Sequence, residues 1–241
     1  MGRAHEVRAA SMAKTAAARS KLYAKFGKEI YIAAKSGVPD PELNQSLKRA
    51  IEKAKKEQVS ADVIKRAIEK AKGGVGEDYK PVRYEGMGPG NSAIIVECLT
   101  DNVNRTYTEV GTVFKKTGAL MTNVSFQFKH QAVITVEDTS EDEVLEILIG
   151  NDLDGEIEME DDACTIYADV SLLHSIQDAI LATKPNADIS TSEIMWIPTM
   201  TINLDDESKQ KFERLLALLN EIDDVQDVFH NVGNIEILDE E

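Results

Sequence analysis

Long apolar runs are missing from this 241-residue chain; Ala93-Ile94-Ile95-Val96 is typical of what is present. A membrane helix needs roughly 18–20 consecutive apolar residues, so none is expected. The basic N-terminus has no apolar stretch behind it, which argues against a secretory signal. Cysteine is scarce: Cys98 and Cys164 stand alone inside apolar strand patterns, which excludes a disulfide framework and reads as reduced core thiols of a cytosolic protein. The four histidines, His5, His130, His174 and His230, match no zinc spacing. No Ser-His-Asp or Cys-His arrangement is visible, so no catalytic residue is assigned. Aromatics make up 5% of the chain against 42% hydrophobic residues overall, as suits a soluble protein with aliphatic cores.

Charge is abundant and unevenly placed. Residues 1–80 carry 18 Lys and Arg against 10 Asp and Glu, and the other 161 residues carry 9 against 33. The net −16 therefore hides a basic head on an acidic body. Such a body repels phosphates, so a polyanion is expected to bind at the head only.

The head reads as three helices. Residues 12–36 form the first, closed by Gly37. At about 100° per residue, Lys14, Lys21, Lys25, Lys28 and Lys35 fall on one face, with Leu22, Phe26, Ile30 and Ala33 on the other. Glu29 is the only acid between residues 7 and 39. A Lys-rich face is ordinarily a solvated one. A stripe of one sign with so little compensation repels itself, however, and counterion release would give it sequence-independent affinity for phosphates. Pro39-Asp40-Pro41 announces a second helix with Asp40 as N-cap, and Ser60 caps a third that ends at Gly73-Gly74. Lys48, Arg49, Lys65 and Arg66 sit on these two.

In the body, residues 82–86 and 92–99 read as a hairpin around Gly86-Met87-Gly88-Pro89-Gly90-Asn91. A dinucleotide fingerprint would need a helix after this turn, and Pro89 and a second strand follow instead. Asp101-Asn102-Val103-Asn104-Arg105-Thr106 opens a helix to about residue 117. Its polar start is either a plain cap or an anion contact through Arg105. Strand 126–137, a helix from the Ser140…Glu143 capping box, strands 156–160 and 164–170, helix 171–183 and strand 188–199 give the βαββαβ order of a ferredoxin-like sandwich. A strand at 200–204, a helix bearing Phe212, Leu215, Leu216 and Leu219, and a strand at 225–232 complete the chain. Joined to the first hairpin, they would make a second sandwich. The dense acids from Asp152 to Asp162 lack calcium-loop spacing and read as a solvated edge, so no metal or other cofactor is assigned.

The expected fold is therefore α+β: an N-terminal helical bundle followed by two ferredoxin-like α/β sandwich domains, one inserted in the other. The expected domains are residues 1–76, residues 80–123 plus 200–241, and the inserted residues 124–199.

Placed on these segments, several long motifs resemble the YebC/PmpR family, most closely its YeeN-like branch. They are Ala24-Lys25-Phe26-Gly27-Lys28-Glu29-Ile30, Val63-Ile64-Lys65-Arg66-Ala67-Ile68, Arg83-Tyr84-Glu85-Gly86-Met87-Gly88-Pro89-Gly90, Asp101–Thr106 and Asp224-Val225-Gln226-Asp227-Val228-Phe229-His230-Asn231. Three places depart from the family pattern: the tail Gly2-Arg3-Ala4-His5-Glu6, Met87 where an aromatic is usual, and Gly111 where arginine is common. The resemblance implies a three-domain cytoplasmic protein without known catalytic activity. Members are described as DNA-binding transcriptional regulators, and related ones as translation factors acting on the ribosome.

The expected function is thus a non-enzymatic, nucleic-acid-binding regulator of gene expression. Its partner is DNA, or alternatively ribosomal RNA or tRNA, with a protein partner for the acidic domains. Lys14, Lys21, Lys25 and Lys28 lead the expected contacts. Arg3, Arg8, Lys35, Lys48, Arg49, Lys65 and Arg66 follow, and Arg105 is a further anion contact. The remaining class, an enzyme or small-molecule sensor on the ferredoxin-like domains, finds no candidate residues.

Overall fold

The structure, a computed structural model, describes residues 16–73 and 78–235. They form two compact units. The first holds residues up to 122 together with 205–228, and the second holds 123–204 together with residues from 229.

The first unit opens with helices α1 (Ala16–Lys35), α2 (Gln45–Lys56) and α3 (Ala61–Lys72). Apolar residues three and four apart give each helix one buried face. Phe26, Ile30, Tyr31 and Ala34 meet Leu47, Ile51 and Ala54 of α2, and Ile64 and Ala67 of α3. Asn44 manages the first turn of this bundle. Its Nδ2 donates to the carbonyls of Ala33 (2.8 Å) and Val38 (3.0 Å), closing α1, and its Oδ1 accepts from Leu47 N (3.0 Å), capping α2. This corrects the expected cap at Asp40, whose Oδ1 instead accepts from Glu42 N in the preceding turn. An amide can donate and accept at once, so it serves both helix ends where a carboxylate could serve only one.

A four-stranded sheet follows, from β1 (Lys80–Met87), β2 (Ala93–Thr100), the two-residue β3 (Leu120–Met121) and β8 (Val225–His230), in the order β3-β1-β2-β8. β1 and β2 are the expected antiparallel hairpin, turned through Gly90 at φ 65° and Asn91 at φ 62°. Helices α4 (Val103–Thr117) and α7 (Asp206–Asn220) bury Val110, Val113 and Phe114, and Phe212, Leu215 and Leu219. Gly86 lets α4 approach β1: a Cβ there would lie 2.1 Å from Phe114 Cε1.

The second unit is built from β4 (Phe128–Val136), α5 (Glu141–Gly150), β5 (Glu156–Glu160), β6 (Ala163–Ala168), α6 (Leu173–Thr183) and β7 (Ile189–Pro198). The antiparallel order β5-β6-β4-β7 is that of a ferredoxin-like sheet. Ile134, Val136 and Ile166 pack against Ile147, Leu148, Ile176 and Ile180 of the helices. The Ser140 cap forms, with Oγ accepting from Glu143 N at 3.4 Å. The Glu143 carboxylate does not complete the box and takes Thr139 Oγ1 and Lys184 Nζ instead.

The expected strand at 200–204 does not form. Ile202 makes one isolated parallel bridge to Val232, and the Asn234 side chain bonds both N and O of Leu204. The sheet edge beyond β1 goes to Leu120–Met121 instead.

Candidate nucleic-acid interface and an internal clamp

Three of the lysines foremost in the sequence reading lie on one face of α1, as helical spacing requires, and all three are engaged by the chain itself. Lys21 Nζ donates to the carbonyl of Asn220 at 2.7 Å. Lys25 Nζ meets Asp227 Oδ1 at 2.5 Å. Lys28 Nζ reaches Asp224 Oδ1 at 3.0 Å and the carbonyls of Asp223 (2.9 Å) and Leu99 (3.2 Å). The side chains of Lys25 and Lys28 are only 16% and 14% exposed. The reading of an uncompensated stripe is thereby corrected. Compensation arrives from about 200 positions further along the chain, out of reach of any local charge count.

Asp224 is the centre of this contact. Its Oδ2 accepts from Thr100 Oγ1 (2.9 Å), Thr106 Oγ1 (2.8 Å) and Arg105 (2.6 Å), while Oδ1 faces Lys28. Burial alone would raise this carboxyl, but the bonds from Arg105, Thr106, Lys28 and Thr100 outweigh it and hold the pKa at about 2. Arg105 also takes Asp101 at 2.9 Å, so the anions it contacts belong to this chain. Asn102 is the true cap of α4, its Oδ1 accepting from Arg105 N. The capping reading of Asp101–Thr106 is seen here, and its arginine is taken up by the chain's own carboxylates.

Lys21 is placed differently. α7 carries no basic residue in its last turn, and the Lys21 ammonium supplies the missing cation at its C-terminal carbonyls. Burial first, and the charge of Lys25 second, press its pKa down to about 8 against the pull of Asp227 and Asp223. Nearby, burial pushes the Cys98 thiol up to about 12, in keeping with an inert core residue.

A cleft of about 750 Å³ opens beside the clamp, lined among others by Lys28, Tyr79, Arg105, Glu109, Lys116 and Glu221. Its charges alternate in sign, and Lys28 lies 5.4 Å from the centre of the Tyr79 ring.

The other expected contacts are spread over the bundle. Lys35, Lys48, Lys65 and Arg66 are exposed, and Arg49 is half-buried. Arg66 pairs with Asp62 one turn away, and Lys35 stands 5.5 Å over the Tyr31 ring. Lys48 and Lys65 have no partner side chain among the described residues. Arg3, Arg8 and Lys14 lie outside the described residues. Among the described residues no group of three His, Cys, Asp or Glu is placed to hold a metal, and no helix is long and apolar enough to cross a membrane.

Asp223, Asp224, Asp227, Thr100 and Thr106 were not read as site residues. Asp224, Asp227 and Thr106 fall in the segments Asp224–Asn231 and Asp101–Thr106 that carry the family resemblance, which says nothing of their meeting, and Asp223 and Thr100 have no such signal.

Comparison with known proteins covers nearly the whole chain. The family model described as the TACO1/YebC protein N-terminal domain matches residues 3–74, and the one described as the TACO1/YebC second and third domain matches residues 79–232. A probable transcriptional regulatory protein of Acholeplasma laidlawii is 54% identical over 237 residues, covering 96% of this chain and 98% of its own. One of the same description from Alteromonas mediterranea is 48% identical over 235 residues, with 96% and 98% covered. The crystal structure of a conserved hypothetical protein from Aquifex aeolicus superposes with a TM-score of 0.75 at 36% identity, covering 93% of this chain and 95% of that one.

Proposed function

The chain belongs to the TACO1/YebC family, and from that premise we propose that it is a non-enzymatic, cytoplasmic regulator of gene expression that grips the phosphate backbone of a nucleic acid with its helical head. The observation that carries this reading is the exposed cations left on the bundle once the clamp has taken its three. Among the described residues, Lys48 of α2 and Lys65 of α3 face solvent without a partner side chain, and Arg66 is held by a neighbour on its own helix, Asp62. Exposed ion pairs of that kind are weak and give way to a phosphate at little cost. Lysines positioned this way neutralise phosphates without reading bases, so binding should fall steeply with salt and vary little with sequence. The relatives' description as probable transcriptional regulatory proteins supports DNA as the target.

One observation favours RNA as a second reading. Among the described residues no helix of the bundle presents the Arg, Asn or Gln cluster that reads a major groove, and lysine-led backbone contact suits shape recognition on structured RNA.

Crosslinking in cells, with the bound DNA and RNA both sequenced, separates the two. Promoter DNA would support the transcriptional reading, and ribosomal RNA or tRNA the translational one. In vitro, Lys48→Glu with Lys65→Glu should weaken binding of duplex or hairpin and lower the salt dependence by roughly 0.7–0.9 in log–log slope per lysine removed. Unchanged affinity in the folded double variant would sink the assignment.

A further inference from the structure

We propose that the segment Asn220–Asp227 is a built-in competitor for the phosphate backbone: it occupies the lysine face of α1, and a nucleic acid that engages this face must first displace Asp227 from Lys25. The inference rests on the function proposed above and adds its regulation.

The geometry resembles a phosphate strand in its chemistry. Three lysines at helical spacing meet a row of oxygens from one short stretch: the Asn220 and Asp223 carbonyls and the Asp224 and Asp227 carboxylates. Every one of these acceptors bears a full or partial negative charge. The match is one of charge and spacing rather than of apolar packing, so another polyanion can replace it.

The clamp is graded along its length. At the Lys28 end, Asp224 is 5% exposed and carries three further hydrogen bonds, so that contact belongs to the folded core. At the other end, Asp227 is 37% exposed and its carboxylate has Lys25 as its one hydrogen-bond partner among the described residues, so fewer bonds hold it than hold Asp224. Lys21 beside it is held by a single carbonyl among the described residues and is partly desolvated, a state in which a phosphate would supply the full counter-charge it lacks. Opening therefore starts at Lys21 and Lys25, while Lys28 stays in place. Among the described residues, the closed head shows the cations of α2, α3 and the end of α1; opening adds Lys21 and Lys25.

The test is a titration of fluorescent DNA duplex and RNA hairpin across a salt series, with the full chain and three variants. Asp227→Asn frees Lys25. Asp227→Asn with Lys25→Gln removes the freed cation. Asp206→Asn makes the same charge change on an exposed residue at the opposite end of α7. Asp227→Asn should bind several-fold tighter, with a log–log salt slope steeper by roughly 0.7–0.9 for one more lysine engaged. That gain should vanish in the double variant and be absent in Asp206→Asn, since a charge well beyond the roughly 8 Å Debye length is screened at physiological salt. A gain no larger than that of Asp206→Asn overturns the clamp and leaves nucleic-acid binding standing. Binding by Asp227→Asn where the unaltered chain shows none supports both. No binding by any form removes the functional reading, and the clamp with it. Circular dichroism of each variant verifies the fold.

Discussion

Lys25 of α1 and Asp227 of β8 stand 202 positions apart in sequence and meet at 2.5 Å. Through this pair and its neighbours the basic head and part of the acidic body neutralise one another. The charge asymmetry of the chain is thus partly an internal attraction.

Asp224→Asn should destabilise the fold by about 3 kcal/mol, because it leaves Lys28 and Arg105 facing a neutral amide at a nearly buried site. Equilibrium urea unfolding measures it. The pH dependence follows from the depressed carboxyl. The unfolded value is 3.8 and the folded value about 2, so the stability it contributes is complete above the unfolded value and is lost as pH falls through the folded one. Asp224→Asn should flatten that acid limb, and an unchanged limb would contradict the hub.

Lys21 should titrate near pH 8 in the folded chain, seen by carbon NMR of labelled lysine side chains as the one resonance that Lys21→Met deletes. Its folded pKa lies below the unfolded 10.5, so the unfolded chain holds the extra proton between about 8 and 10.5. This group therefore adds stability as pH rises through that window. A Lys21 resonance titrating at the ordinary lysine value would show that the ammonium is fully solvated and the clamp open.

Gly86→Ala should lower stability by about 1–3 kcal/mol, the usual cost of overpacking, because the new methyl meets the Phe114 ring and the Leu120 carbonyl, 2.7 Å away. A thermal melt measures it. A neutral result would mean that α4 can lift from β1 at no cost.

Much of the architecture was legible in the residues. The three head helices, the hairpin through Gly90 and the ferredoxin-like order of β4 to β7 follow from apolar periodicity and turn chemistry, which act over a few positions. The misses have the same physical cause in reverse. Asp40 has the residue type and setting of a cap, but Asn44 takes that role by accepting from Leu47 N while its amide also reaches back eleven positions to Ala33. Residues 200–204 have the composition of a strand but find no ladder partner beyond the one bridge from Ile202 to Val232.

The amino-acid sequence by itself determined which segments are helices and strands, which faces are apolar, and that α1 carries its lysines on one side. Each of these is a consequence of backbone geometry repeating along a local stretch. Only the tertiary structure decided what those lysines face. Pairing of charges depends on distance in space, and chain closure brought Asp223, Asp224 and Asp227 to α1 from nearly the other end of the molecule.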